Sequence, residues 1–239
     1  MKKLLTLAIA LAATFGLGAC GNNPATPDWQ VNAYGSLASF TAAYLGGNTP
    51  VADIEFARAR NDVTATARPD LVARVDLVRC AVRVASLELD DCAAPPKSTS
   101  TQAFPVAIPI AIPYEDMAAP ERAYADYLGA RWQSLDAPRA ALLPEAHRPV
   151  LAARDDASRV AALTAMREPL ARLVGAGVLF RQGLLPPSGV ALAVNTASEQ
   201  GWRRPLLAWL GVQLKLAEAT GDAQARAQVQ RRIDLASKP

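Results

Sequence analysis

The sequence predicts an all-α protein of stacked antiparallel helical hairpins, an irregular bundle or array with a long proline-rich extended connector in its middle. Three observations predict it. Apolar residues recur at steps of three and four over most of the chain, the spacing that gathers them on one face of a helix. Glycine and proline punctuate these stretches at short intervals, as helix stops and starts do. No stretch alternates apolar and polar residues convincingly, as a half-buried strand would. Alanine is abundant and arginine outnumbers lysine 20 to 5, a bias that favours helix and that a GC-rich genome also produces.

The first helix runs from Trp29 to Leu45, with Tyr34, Leu37, Ala38, Thr41 and Leu45 on one face. Gly46-Gly47 stops it. Asn48-Thr49-Pro50 starts the second, with a hydroxyl cap and proline in the first turn, and Ala52, Phe56, Ala59 and Val63 facing inward. Arg68-Pro69-Asp70 restarts the chain, and Leu71, Val75, Val78, Val82, Ala85 and Leu89 form a third apolar stripe.

Between Asp90 and Tyr114 the pattern changes. Pro105, Pro109 and Pro113 fall every fourth residue, and each ring removes an amide hydrogen and clashes with the preceding turn, so a regular helix is forbidden. Val106, Ile108, Ile110 and Ile112 are too apolar to be left in water. The segment therefore reads as an extended connector laid against the helices; a flexible groove-lining loop is its functional version.

Helix returns near Pro120 and runs through Tyr124, Leu128, Trp132 and Leu135. Residues 138–150 are broken by Pro144 and Pro149. Asp155-Asp156 opens a long stretch with Val160, Leu163, Leu170, Val174 and Val178 inward and a kink at Pro169. Gly183 and Pro186-Pro187 end it. A helix over Ser188 to Gln200 stops at Gly201, another begins at Pro205, Gly221-Asp222 makes a turn, and a last helix covers Ala223 to Ala236. The domain reading is residues 29–92 as one helical subdomain, 93–116 as connector and 117–239 as a second helical subdomain.

The chain opens with Lys2-Lys3 and an almost unbroken apolar run from Leu4 to Phe15, the layout of an export signal. The run is short for a spanning helix, which needs about 20 apolar residues. Leu17-Gly18-Ala19-Cys20 resembles the lipobox of bacterial lipoproteins. That resemblance implies a type II signal peptide over residues 1–19, cleaved between Ala19 and Cys20. It also implies a covalent lipid as the only cofactor, with diacylglycerol on the Cys20 thiol and a further acyl chain, such as palmitate, on the new amine. Two or three chains hold stably where one binds reversibly. Gly21 is not the aspartate that resembles an inner-membrane retention signal, so the implied location is the outer membrane, facing the periplasm. Residues 20–28 are then a lipidated tether.

Two places weakly resemble tetratricopeptide repeats. Ala52-x-x-x-Phe56-x-x-Ala59 resembles the second helix of such a repeat, and Trp209-Leu210-Gly211 with Gly221-Asp222 resembles the first helix and turn. The spacing keeps no regular period, so they imply helical hairpins rather than membership. Cys80 and Cys92 in an exported protein are expected to form a disulfide, closing a short loop worth about 3 kcal/mol. A redox or metal pair fits poorly, because the spacing is not Cys-x-x-Cys and the only histidine, His147, is far away.

The chain carries 25 basic and 22 acidic side chains. Lys2 and Lys3 leave with the signal, so the remainder is nearly neutral and offers no basic stripe for nucleic acid. No Gly-x-Ser-x-Gly, His-Glu-x-x-His or phosphate loop occurs, and one imidazole builds no histidine metal cluster. His147, between two prolines, reads as a solvent-facing loop residue. Lytic transglycosylases are helical lipoproteins that act through one glutamate. Glu55 is the nearest imitation, but that family's Glu-Ser dipeptide is missing. Asp155-Asp156 is placed to cap a helix. Trp202, Arg203 and Arg204 form the candidate partner-binding cluster, with guanidiniums suited to a carboxylate or phosphate. The expectation is a non-enzymatic, lipid-anchored scaffold or adaptor holding a protein partner in the envelope. A peptidoglycan-active enzyme and a carrier of apolar ligands are the alternatives. The oligomeric state is not legible.

Overall fold

The computed structural model describes residues 26–89 and 113–238. The proline-rich connector lies almost wholly outside these residues, as do the signal, the lipobox and Cys92. Eleven α-helices and no strands occur among the described residues, so the protein is all-α.

The first three helices are α1 (Asp28–Gly46), α2 (Thr49–Thr64) and α3 (Pro69–Ala85). Gly47, at φ 91°, closes α1 in the left-handed conformation that glycine adopts without strain. The cap of α2 is the carboxamide of Asn48, which accepts from the Val51 amide at 3.3 Å, not the expected hydroxyl. On α2 the buried residues include Ala52, Phe56, Ala59 and Val63, the anticipated stripe.

On α1 the inward face is rotated from the expected one. Ala33, Phe40, Tyr44 and Leu45 are buried, whereas Tyr34 is 78% exposed. The reason is physical: α1 carries uncharged residues on both sides, with Asp28 its only charge, so periodicity alone could not choose between two stripes.

α3 is buried on two sides. Val72, Val75 and Val82 join the core of the α1–α2 hairpin, while Leu77, Cys80, Ala81 and Val84 enter the larger core built with the C-terminal helices. One helix therefore links the two halves of the chain. It ends at Ala85, four residues short of Leu89, because Leu87 turns to φ 59°.

After residue 112 come α4 (Ala119–Leu128), α5 (Ala137–Ala140), α6 (Arg148–Ala152), α7 (Asp156–Ala165), α8 (Pro169–Arg181), α9 (Pro187–Glu199), α10 (Arg203–Ala219) and α11 (Ala223–Ser237). Two readings are corrected here. The helix through Tyr124 stops at Leu128, because Ala130 adopts φ 54° and Trp132 falls on a separate 3-10 turn. The stretch from Asp156 is two helices rather than one kinked at Pro169. Met166 and Glu168 are extended, and a residue before proline is pushed out of the helical region, so Pro169 begins α8. Asp155 caps α7 in a reciprocal capping box with Ser158.

Neighbours in sequence pack as hairpins: α1 on α2, α9 on α10 and α10 on α11, with α3 crossing α8. At that crossing a Cβ added to Gly177 would stand 2.4 Å from the Val84 carbonyl oxygen, so only glycine permits the approach. Trp209 of α10 is fully buried, donates from Nε1 to the Ala85 carbonyl at 3.0 Å and meets Phe180 edge to face. It satisfies one of the carbonyls that every helix end leaves unpaired.

Candidate functional site

α1 and α2 carry a surface that no other described element covers. Four large apolar side chains are exposed on it: Tyr34 at 78%, Val31 at 55%, Ile54 at 53% and Val51 at 42%. Between the helices lies an open cleft of about 580 Å³, lined on α1 by Val31, Asn32, Gly35 and Ser36 and on α2 by Glu55, Arg58, Asn61 and Asp62.

The antiparallel hairpin explains the lining. α1 contributes a neutral wall, and α2 contributes charged residues three and four apart on one face. Glu55 accepts from Arg58 at 2.7 Å, and the Glu55 side chain is only 16% exposed whereas that of Arg58 is 64%. Beneath the cleft the hairpin is rigid. Phe40 stacks against Tyr44 and Phe56 at 5.8 and 5.3 Å, and Arg60 is 3% exposed and bonded to Asp76 at 2.9 Å.

Gly35 is the informative residue in the wall. A Cβ there would meet no described atom within 4 Å. Glycine within a helix is less stable than alanine by roughly 0.5–1 kcal/mol, so the fold gains nothing from it. What it leaves is bare backbone at the mouth of the cleft, where another chain can approach closely. The sequence signal, a glycine inside the α1 pattern, was visible; that no described residue fills its place was not.

The cluster expected to bind a partner makes contacts within the fold. Arg204 donates from Nε to the Tyr44 carbonyl at 2.7 Å and from Nη2 to Thr49 Oγ1 at 2.6 Å. It also pairs with Glu88 at 3.4 Å and lies 4.3 Å from the Tyr44 ring centroid. Arg203 donates to the Ser237 carbonyl at 2.7 Å, and Trp202 packs, half-buried, against both cores. These residues bolt the start of α10 to the α1–α2 turn and to the end of α11. Tyr44 in turn donates to Glu88 at 2.6 Å. Burial, aided by that carboxylate, pushes its hydroxyl well above the usual range.

His147 is also corrected. It is 3% exposed rather than solvent-facing, because its ring packs against Tyr127 and Tyr124. Cys80 is buried in α3 and takes part in a disulfide; the expected pairing with Cys92 falls outside the described residues, as do Ala19 and the lipidation site Cys20.

Three polar nodes escaped the sequence. Asp126, 1% exposed, accepts from Tyr114 at 2.7 Å, Arg131 at 2.8 Å and Arg139 at 2.6 Å. Glu121 accepts from Arg74 at 2.6 Å. Arg172 donates to the Leu163 and Met166 carbonyls, tying the two ends of the α7–α8 break. Their partners are distant in sequence or sit at an unforeseen break, and no local spacing signals them.

No group of three or more histidine, cysteine, aspartate or glutamate side chains is placed to hold a metal among the described residues. No described helix is long and apolar enough to cross a membrane. No protein-family model, curated protein or solved structure matches the chain.

Proposed function

We propose that the protein is a lipid-anchored helical adaptor of the cell envelope, held at the outer membrane through Cys20 and binding a protein partner through the α1–α2 face. The observation that carries this reading is the contrast in how polar groups are used. Arg172, Arg204 and Asp126 are committed to internal bonds. Among the described residues, the α1–α2 face carries a cleft and four exposed large apolar side chains. Apolar anchors around a polar cleft are what a protein interface offers, and a stack of helical hairpins holds such a surface rigid.

The anchor follows from the lipobox resemblance and sets the geometry. Cys20 precedes Asp28 by eight residues, and at about 3.3–3.6 Å per residue the tether keeps α1 within about 30 Å of the bilayer. A partner reaching this face is itself an envelope protein.

A photo-crosslinking residue placed at Tyr34, with Leu235 on α11 as control, tests the reading in cells. Leu235 is also strongly exposed, at 69%. A discrete protein adduct at Tyr34 and none at Leu235 is expected. Incubating the protein with purified peptidoglycan tests the enzymatic alternative. Released muropeptides that disappear in Glu55→Gln would replace the adaptor by a glycan-cleaving enzyme.

A further inference from the structure

The chain contains one histidine, and the fold buries its ring. The His147 ring lies 4.8 Å from the Tyr127 ring and 5.7 Å from that of Tyr124, centroid to centroid. Its Nδ1 and the Tyr127 hydroxyl each lack a hydrogen-bond partner among the described residues. The turn that carries it belongs to residues 131–152, which fold only as two 3-10 turns and two helices of four and five residues. Within that stretch Leu143, His147 and Val150 are the only buried residues. The imidazole is thus one of three plugs holding the least regular described part of the molecule, the kind of region that opens before the rest.

We propose that His147 is an acid-operated latch: charging its imidazole releases residues 131–152, with Leu143 and Val150, from α4 and the edge of the larger core while α1, α2 and α3 stay folded. A neutral imidazole packs against the stacked Tyr124 and Tyr127 rings, themselves 6.2 Å apart, as a third aromatic surface. An imidazolium in the same place needs an anion, and no carboxylate among the described residues is hydrogen-bonded to the ring. α4 presents Tyr124 and Tyr127. Its carboxylates bond to other groups: Asp126 accepts from Arg131, Arg139 and Tyr114, and Glu121 accepts from Arg74 at one oxygen, the other being buried without a hydrogen-bond partner among the described residues. α6 and α8, which also pack on the turn, contain no acidic residue. Arg148, next in the chain, has the same sign and donates to the Leu143 carbonyl, and Glu145 is exposed.

Burial lowers the His147 pKa from 6.5 to about 4. The sign follows: in the closed form the ring holds its proton less tightly than in the open form. Closure is therefore fully favoured above pH 6.5 and loses that support as pH falls toward 4. The latch also reaches the Asp126 node, because α4 carries both. Asp126 holds Tyr114, at the point where the described chain resumes, together with Arg139 of α5. Opening the latch frees one side of that node.

Hydrogen exchange on the full chain in detergent, at pH 7 and pH 4.5 and corrected for intrinsic rates, tests this. Residues 131–152 are expected to lose about 50-fold in protection at pH 4.5, from the two pKa values, while α2 and α3 keep theirs. His147→Phe retains a ring that cannot charge, and its acid response is expected to vanish. Uniform loss of protection along the chain, or the same opening in His147→Phe, would overturn the latch. Should that variant not fold, the single-histidine NMR titration of the wild type decides: an imidazole that titrates near 6.5 while residues 131–152 stay protected contradicts the proposal.

Discussion

Gly177 and Gly35 are both helical glycines, and they sit in opposite surroundings. At Gly177 the backbone of α3 presses so close that a Cβ would collide with the Val84 carbonyl. At Gly35 a Cβ would enter open space. The first glycine is there for the fold. The second stands in the wall of the α1–α2 cleft, with no described atom against it. On the proposed adaptor reading, the α3–α8 crossing and the α1–α2 face separate two demands on one sequence, internal packing and contact with a partner. Substitutions on each side should respond with opposite signs.

The largest effect belongs to the interior. Trp209→Ala removes a fully buried indole and its bond to the Ala85 carbonyl, and a loss of about 3–5 kcal/mol is expected, read from chemical denaturation. Gly177→Ala should cost about 1–3 kcal/mol by forcing α3 and α8 apart; a midpoint unchanged from wild type would mean that the crossing is looser than described. Arg204→Ala should cost about 1–3 kcal/mol, since the Tyr44 carbonyl and Thr49 lose their donor. Hydrogen exchange should place that loss at the α1–α2 turn and the start of α10. If Arg204 instead served a partner, stability would hold while crosslinking at Tyr34 failed.

The same contrast explains what could be read from the sequence. The α2 stripe Ala52, Phe56, Ala59 and Val63 was legible because its members recur at steps of four, three and four. On α1 both sides are uncharged, so the inward face was misread and the exposed Tyr34 with it. Asp155 announced a helix start through its own local geometry. Arg204 and Asp126 did not, because their partners lie up to 160 and 13 residues away and only the packed fold brings them together. His147 was misread for a related reason: flanking prolines signal a loop, but nothing in them tells that the loop turns its ring inward. The candidate face itself was half legible. Glu55 had been singled out on chemical grounds, yet its place in a cleft needed the α1–α2 pairing.

Gly35→Ala is the smallest change and the most direct test of the adaptor reading. It should raise stability by roughly 0.5–1 kcal/mol, because alanine is the better helix former and meets no obstacle here. On one preparation, the denaturation midpoint and the yield of the Tyr34 adduct are measured together. The account predicts a higher midpoint and a lower yield, since the new methyl group stands where a partner's backbone would approach. A higher midpoint with an undiminished adduct would show that nothing docks at Gly35 and would contradict the α1–α2 face as the binding site.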